Sequence, residues 1–356
     1  MSLAEFVKST ALAVGFDIAG IAPVREFREL EYFPEWIANG HAGEMRYLES
    51  RDESGQLKRS SLSRVAPWAR SVIVCALNYN TAQPYSTQPA DPGEGWISRY
   101  AWFTGDYHDF VMKRLRAVEA RLRESAPQLE SRCYVDTGPI VERIYAKYAG
   151  LGWIGKNTCL INQKIGSWLF LGVILSSLEL TPDLPAPDRC GTCTRCIDAC
   201  PTNAFIAPHQ MDASRCIAYL TIEKRGEVPL EFRDQMGRHV FGCDICQDVC
   251  PWNRKAPASN APEFQTRGEL VNPALDWLAT INEEDFRQTF RGSPVKRTKR
   301  QGVRRDAVLA MGNSGYERFL PLLEELTNDE DPVVAEHARW ALNHLQRLAP
   351  APTTEA

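Results

Sequence analysis

No run of this 356-residue chain approaches the apolar length of a membrane span, which takes roughly 18–20 consecutive residues. The first residues, Met1-Ser-Leu-Ala-Glu-Phe6, lack the basic and apolar regions of a secretory signal. These absences exclude a helical membrane anchor and make a cytoplasmic location the expectation. Without export, the 11 cysteines are expected to be reduced thiols rather than a disulfide framework. Acid is missing from one place: residues 287–305 hold eight Lys or Arg and no Asp or Glu. The net charge is -4, so the chain without those eight positive charges stands at -12. An uncompensated basic stretch repels itself, and an anionic partner, RNA or DNA phosphate, is the expected occupant. The length allows two or three domains around large cores.

The cysteines that are present concentrate between Cys190 and Pro251. Cys190-x2-Cys193-x2-Cys196-x3-Cys200-Pro201 has the spacing that wraps four-iron clusters in two-cluster ferredoxins, where the fourth cysteine serves the other cluster. Cys243-x2-Cys246-x3-Cys250-Pro251 repeats it without a first cysteine, and Cys216 lies between to supply that ligand. The crossed assignment is Cys190, Cys193, Cys196 and Cys250 for one [4Fe-4S] cluster and Cys200, Cys216, Cys243 and Cys246 for the other. Two tetrahedral zinc sites are the competing use of eight cysteines, but zinc ribbons rarely show three cysteines in this run followed by Cys-Pro.

Along the chain, Leu3, Phe6, Val7 and Val14 predict a helix closed by Gly15, and a strand follows over 17–24. Residues 69–77 and 167–178 read as strands buried on both faces. Val111, Leu115, Val118 and Leu122 form one helix stripe, and a short strand at 133–135 precedes a helix from about 139 to 148. The expectation is an α+β protein whose N-terminal domain, 1–179, is α/β or α+β. A ferredoxin-like domain over 180–260 and a helical tail over 274–350 complete it. In the tail, Phe319, Leu322, Leu323 and Leu326 line one helix, and Asp331-Pro332 starts another carrying Val334, Ala341, Leu342 and Leu345. With 303–311 before them, these predict stacked helix pairs of the HEAT type.

Three motifs outside the cysteines each lack a part. Gly150 to Asn157 has the spacing of a phosphate loop, but Asn157 replaces the magnesium-binding Ser or Thr and no strand precedes it; nucleotide hydrolysis is rejected. Asp106-Tyr107-His108 is like the D-x-H-x2-G element of some cobalamin enzymes, but Val111 stands at the glycine, so a helix start capped by Asp106 is the plainer reading. Asp136-Thr-Gly-Pro139 sits between a strand and a helix. Taken alone, Asp136 or Thr137 would cap the helix; the alternative is a catalytic acid at a strand end. Cys75, Cys133 and Cys159 are expected to be buried small side chains.

Together, Arg99-Tyr-Ala-Trp-Phe-Thr-Gly-Asp-Tyr-His108, Asp136-Thr-Gly-Pro139, Gly152-Trp-Ile-Gly-Lys-Asn-Thr158, Gly166-Ser-Trp168, the cysteine runs and Cys216 to Glu223 resemble the epoxyqueuosine reductase family. So does the basic segment leading into Ala307-Val-Leu-Ala-Met-Gly-Asn313, and the resemblance extends to about residue 348. It implies cobalamin over the N-terminal domain, two [4Fe-4S] clusters and a helical-repeat tail. The implied activity is reduction of epoxyqueuosine to queuosine at the wobble position of a tRNA anticodon loop. Asp136 then becomes the implied proton donor, its carboxyl kept protonated by buried surroundings. Arg59, Arg99, Tyr107, His108, Asp136, Lys156, Asn157, Gly166 and Ser167 are implied to flank the corrinoid, with no axial ligand assigned. Lys296, Arg297, Lys299, Arg300, Arg304 and Arg305 are expected to hold RNA phosphates. An external electron donor, no membrane partner and a monomeric chain complete the expectation. The alternative is a reductive dehalogenase-like oxidoreductase acting on a small molecule, which would need no basic tail and usually carries an export signal. A plain ferredoxin-like carrier would leave the N-terminal domain without a use.

Overall fold

The computed structural model describes residues 2–348. Helix α1 (Leu3–Ala13) starts at Ser2, whose hydroxyl accepts from the Glu5 amide while the Glu5 carboxylate accepts from the Ser2 amide, a reciprocal cap. Strand β1 (Ile18–Pro23) follows, then β2 (Ser71–Asn78), which is buried throughout. In β2, Ile73, Cys75 and Leu77 enter one core and Val72, Val74 and Ala76 another. Successive side chains point to opposite faces, so a strand covered on both sides has no polar alternation to show.

Helix α2 (Tyr107–Ser125), strand β3 (Ser131–Tyr134), helix α3 (Glu142–Tyr148) and strand β4 (Leu169–Ser176) complete this part. The sheet order is β1-β2-β4-β3 and every pair is antiparallel. The α+β class holds, and of the two readings open for the N-terminal domain the all-antiparallel sheet makes it α+β, which corrects the α/β one. Between β3 and β4 the chain carries, beyond α3, a hairpin (Trp153–Ile154 with Leu160–Ile161), and it returns antiparallel. Helices α1 and α2 cover one face of the sheet and α3 the other. A Cβ on Gly172 would stand 2.7 Å from the Val111 side chain, so the missing side chain lets α2 press onto β4.

The cysteine-rich stretch is built from turns and short elements, including α4 (Ile217–Ile222). The tail contains α5 (Leu275–Thr280), α6 (Lys299–Asn313), α7 (Leu320–Leu326) and α8 (Pro332–Leu348). Asp331 accepts from the Val333 amide at 2.9 Å at the start of α8. The tail is not separate: its core also takes in Trp96, Ile97, Trp102, Val240 and Phe241 from earlier in the chain.

Helix α6 is buried continuously from Gly302 to Gly312, which corrects two of the residues expected to face RNA. Arg305, 1% exposed, spends all five guanidinium donors internally. They go to the carbonyls of Leu220, Lys224 and Gly226 and to both oxygens of Asp306. Arg304 donates to the Ala279 carbonyl and pairs with Asp329. The acids missing from the linear segment arrive from elsewhere in space. Arg300 lies beside Glu283 and Glu330, and Arg297 beside Glu223. Lys296 and Lys299 are exposed and make no ion pair among the described residues.

Candidate active site

Asp136 follows β3 with a backbone φ of 57°, a left-handed conformation that is uncommon outside glycine. It does not cap α3. That helix begins at Glu142 with Val141 before it and no side-chain cap. The Asp136 carboxylate instead accepts from the Tyr107 hydroxyl at 3.2 Å and lies 3.9 Å from His108 Nε2. Its side chain is 71% exposed, which corrects the buried surroundings expected for it. Asp106 caps α2 through the His108 amide and also holds His108 Nδ1 at 2.6 Å, so the ring presents its other nitrogen to Asp136. Burial pulls the His108 pKa down, but the Asp106 bond and charge, with Asp136 and Asp109 behind them, carry it above its ordinary value. Tyr107 stacks on His108 (4.0 Å) and on Phe170 (4.2 Å, 3° between planes), which fixes its hydroxyl under the carboxylate. Burial, then the charge of Asp136, keeps that phenol protonated.

Two neighbours escaped the sequence reading. Glu142 has a buried carboxyl oxygen with no partner among the described residues, and burial followed by the charge of Asp136 raises its pKa to about 7. Tyr47 stands at the mouth, near enough for Asp136 and Glu223 to act on its phenol after burial has. Neither sits in a recognisable motif; only the converging turns bring them in. Arg59 belongs here too, since its charge acts on both Glu142 and Tyr47.

The other residues expected to flank a corrinoid lie along the seam between the N-terminal sheet and the cysteine-rich stretch. Arg99 is fully buried under the rings of Tyr85, Trp102 and Trp168, and its guanidinium binds the carbonyls of Thr81, Gln83 and Pro84. It pins the long 81–95 loop. Asn157 Nδ2 donates to the Cys246 carbonyl at 3.2 Å, and Lys156 Nζ to that of Gly191 at 2.7 Å. The Ser167 amide donates to Asn253 Oδ1 at 2.7 Å, and Gln247 and Asn253 donate to the Ser167 hydroxyl. Gly166 has φ +73°, and a Cβ there would stand 2.3 Å from Asn253 Oδ1. Asp244, next to Cys243, takes hydrogen bonds from the Trp96 and Ser98 side chains and the Arg99 amide. The stretch from Gly150 to Asn157 forms the hairpin already described, not a phosphate loop opening a helix.

Across that seam the cysteines gather in two neighbourhoods. Burial first, then Cys190 and Cys193, raises the Cys196 thiol, while Cys250 is pushed up to about 11 by burial with Cys159, Cys190 and Cys196 nearby. Cys216, also about 11, is raised by burial and by Cys200 and Cys159; Cys243 by burial, Cys216 and Cys200. Cys246 is raised by its bond with Cys159, then by burial, Cys243 and Cys216. Such thiols ionise on binding metal and release protons as they do. Among the described residues no three His, Cys, Asp or Glu converge tightly enough for a single ion. Cys75 and Cys133 are buried as expected, but Cys159 lies against Cys246.

This arrangement, an open acid mouth sealed against two thiol groups, defines an iron–sulfur oxidoreductase. A family model described as a 4Fe-4S double cluster binding domain matches residues 189–253, and one described as epoxyqueuosine reductase QueG matches residues 59–137. An epoxyqueuosine reductase of Synechocystis is 45% identical over 81% of this chain and 98% of its own. A solved epoxyqueuosine reductase bound to a tRNA-Tyr epoxyqueuosine-modified stem loop superposes with a TM-score of 0.86. It is 30% identical, covering 96% of this chain and 90% of that one. A Bacillus subtilis epoxyqueuosine reductase, described with its catalytic aspartate loop swung out of the active site, gives 0.85 at 30% identity over the same shares. The chain belongs to the epoxyqueuosine reductase family.

Proposed function

We propose that this chain reduces epoxyqueuosine to queuosine in the anticodon loop of tRNA, with Asp136 donating a proton at the reacting oxygen. The observation that carries the assignment of Asp136 is its position. The carboxylate sits on a left-handed backbone, free of any helix cap, held by Tyr107 and facing His108. Removing the epoxide oxygen as water takes two electrons and two protons. Asp136 gives its proton to the oxygen as the ring opens. Tyr107 fixes the carboxyl group's direction, and the His108 ring, whose raised pKa favours the cation, stands 3.9 Å away to replace the proton.

The eight cysteines would hold two [4Fe-4S] clusters in the crossed sets: Cys190, Cys193, Cys196 and Cys250, and Cys200, Cys216, Cys243 and Cys246. The residues at the mouth also fit cobalamin. The unpartnered buried oxygen of Glu142 offers an acceptor for a peripheral amide, and Arg59 beside it a donor. Arg59, Tyr107, His108 and Asp136 would border it, while Arg99, Lys156, Asn157, Gly166 and Ser167 hold the seam behind. The chemistry a corrinoid would supply there is the two electrons that the reduction takes. An external donor would feed the clusters, and Lys296 and Lys299, with Arg297 and Arg300, would meet RNA phosphates. The tail would act as stacked helix pairs of the HEAT type around α6, and the chain would work as a monomer.

Anaerobic reconstitution with iron, sulfide and corrinoid, followed by turnover of an epoxyqueuosine-containing stem-loop, tests the whole. About eight irons per chain are expected, and Cys216→Ala should lose one cluster and keep the other. Stoichiometric zinc without broad visible absorption would overturn the cluster assignment.

A further inference from the structure

Two neighbouring turns, 46–49 and 58–60, and a third far along the chain, 294–298, meet within reach of the Asp136 charge. Tyr47 is 47% exposed where they meet. The Arg59 guanidinium lies 5.7 Å from its ring centroid, and Arg59 also donates to the Tyr47 carbonyl at 3.2 Å. The Arg297 guanidinium lies 5.3 Å from the same centroid and is steadied by both oxygens of Glu223, at 2.5 and 3.0 Å. Tyr148 also carries two cations, Arg25 and Lys147, but Lys147 there is paired with Glu29 and the ring is only partly exposed. At Tyr47, cation–π attraction is that of an exposed site and weak, and the two guanidiniums repel each other. Packing alone gives little reason to assemble it.

Its place supplies the reason. Arg297 belongs to the same edge as the exposed Lys296 and Lys299, so the cluster is continuous with the free positive charge of the tail. On its other side, Tyr47 is close enough to feel the charge of Asp136. A nucleotide that reaches Asp136 must leave the base stack of its loop, and its neighbour in the strand is then deprived of a stacking partner. Flat aromatic and guanidinium faces are what single-stranded bases stack on.

We propose that the Tyr47, Arg59 and Arg297 cluster receives the base of a nucleotide adjacent to the one undergoing reduction, Tyr47 supplying the stacking face and the arginines reaching its phosphate. This rests on the RNA substrate proposed above. Burial, then Glu223 and Asp136, hold the Tyr47 phenol neutral, so the ring contributes through its face and not through charge. Its role is to position the loop.

The test uses full-length protein and an unmodified anticodon stem-loop with 2-aminopurine placed in turn on each side of the wobble position. With wild-type protein, binding should change the fluorescence of one of the two labelled loops through stacking. Tyr47→Ala should abolish that change and weaken binding by roughly 5- to 150-fold, the range expected when one stack is removed. The slope of affinity against salt should stay the same, because every phosphate keeps its cation. Tyr47→Phe should restore both signals, which a general disturbance of the turn would not allow. Arg59→Gln should flatten the salt slope by about 0.7–0.9, the share of a single neutralised phosphate. If wild-type protein does not bind the stem-loop, the RNA reading itself fails. If it binds and Tyr47→Ala matches it in affinity and fluorescence, the platform is wrong and the RNA reading survives. A Tyr47→Ala protein that loses corrinoid uptake, followed by visible absorption, would make Tyr47 a cofactor wall and overturn the platform as well.

Discussion

Two regions of this molecule carry dense charge and treat it in opposite ways. In α6 of the tail, Arg304, Arg305 and Asp306 are buried and matched to partners donor by donor. At the mouth, Asp136 is largely exposed and Lys296 and Lys299 stand open. Both regions draw on the same residue types, and in the basic run they are only a few positions apart. A charge sealed inside holds elements together, while one left in solvent keeps its field for a ligand. The difference lies in the partners that the fold delivers, so it cannot be read from the charge itself.

The sharpest way to break the comparison is to exchange the consequences. Replacing Asp136 by Asn should lower turnover by about 10²- to 10⁴-fold, the usual worth of a positioned proton donor. The unfolding midpoint and cluster content should not change. A variant that unfolds more easily would return Asp136 to a structural role. Arg305→Ala should do the reverse. It leaves Asp306 and three carbonyls without their donor, and stability should fall by about 3–5 kcal/mol. Denaturant titration measures this; a drop under about 1 kcal/mol would mean that α6 does not depend on its buried charge.

A subtler contrast lies within the mouth, at Asp106 and His108. The His108 pKa is raised on folding. Its contribution to stability is therefore complete below the ordinary imidazole value of 6.5 and is lost as pH rises through the raised one. Asp106 is lowered, so its part is present above the ordinary carboxyl value and is lost only in acid. His108→Asn should narrow the stability gap between about pH 6 and about pH 9, modestly because the ring is partly solvated. An unchanged gap would show that the pair contributes nothing. Smallest of all, Lys296→Ala with Lys299→Ala should leave folding untouched and flatten the salt dependence of stem-loop binding by up to about 0.7–0.9 for each phosphate left without its lysine. An unchanged slope would make these lysines ordinary solvated surface.

The double-cluster stretch was legible because cluster geometry demands short, fixed spacings that survive in one dimension. The buried strands were legible for a related reason, since a strand covered on both faces shows a near-continuous apolar run. The antiparallel return of β4 was not, because strand direction is set by how the intervening hairpin turns the chain. Arg304 and Arg305 read as surface because their acids, Asp306 and Asp329, lie outside the basic window. Arg99, Asn157 and Ser167 read as cofactor neighbours, and the partners they take in the seam lie far away in sequence. Nothing in a local motif says on which side of a wall it stands. Glu142 and Tyr47 carried no signal at all.

The seam has a consequence for timing. Electron tunnelling slows steeply with each added ångström, so a hinge between the cysteine groups and the mouth would make every delivery wait on a chance approach. Asn157 on the Cys246 carbonyl, Ser167 on Gln247 and Asn253, and Asp244 on three donors from 96–99 tie the seam at three places. In the function proposed, such ties would set the gap an electron crosses when the chain folds. The interval between successive electrons would then depend on the external donor and on the arrival of RNA.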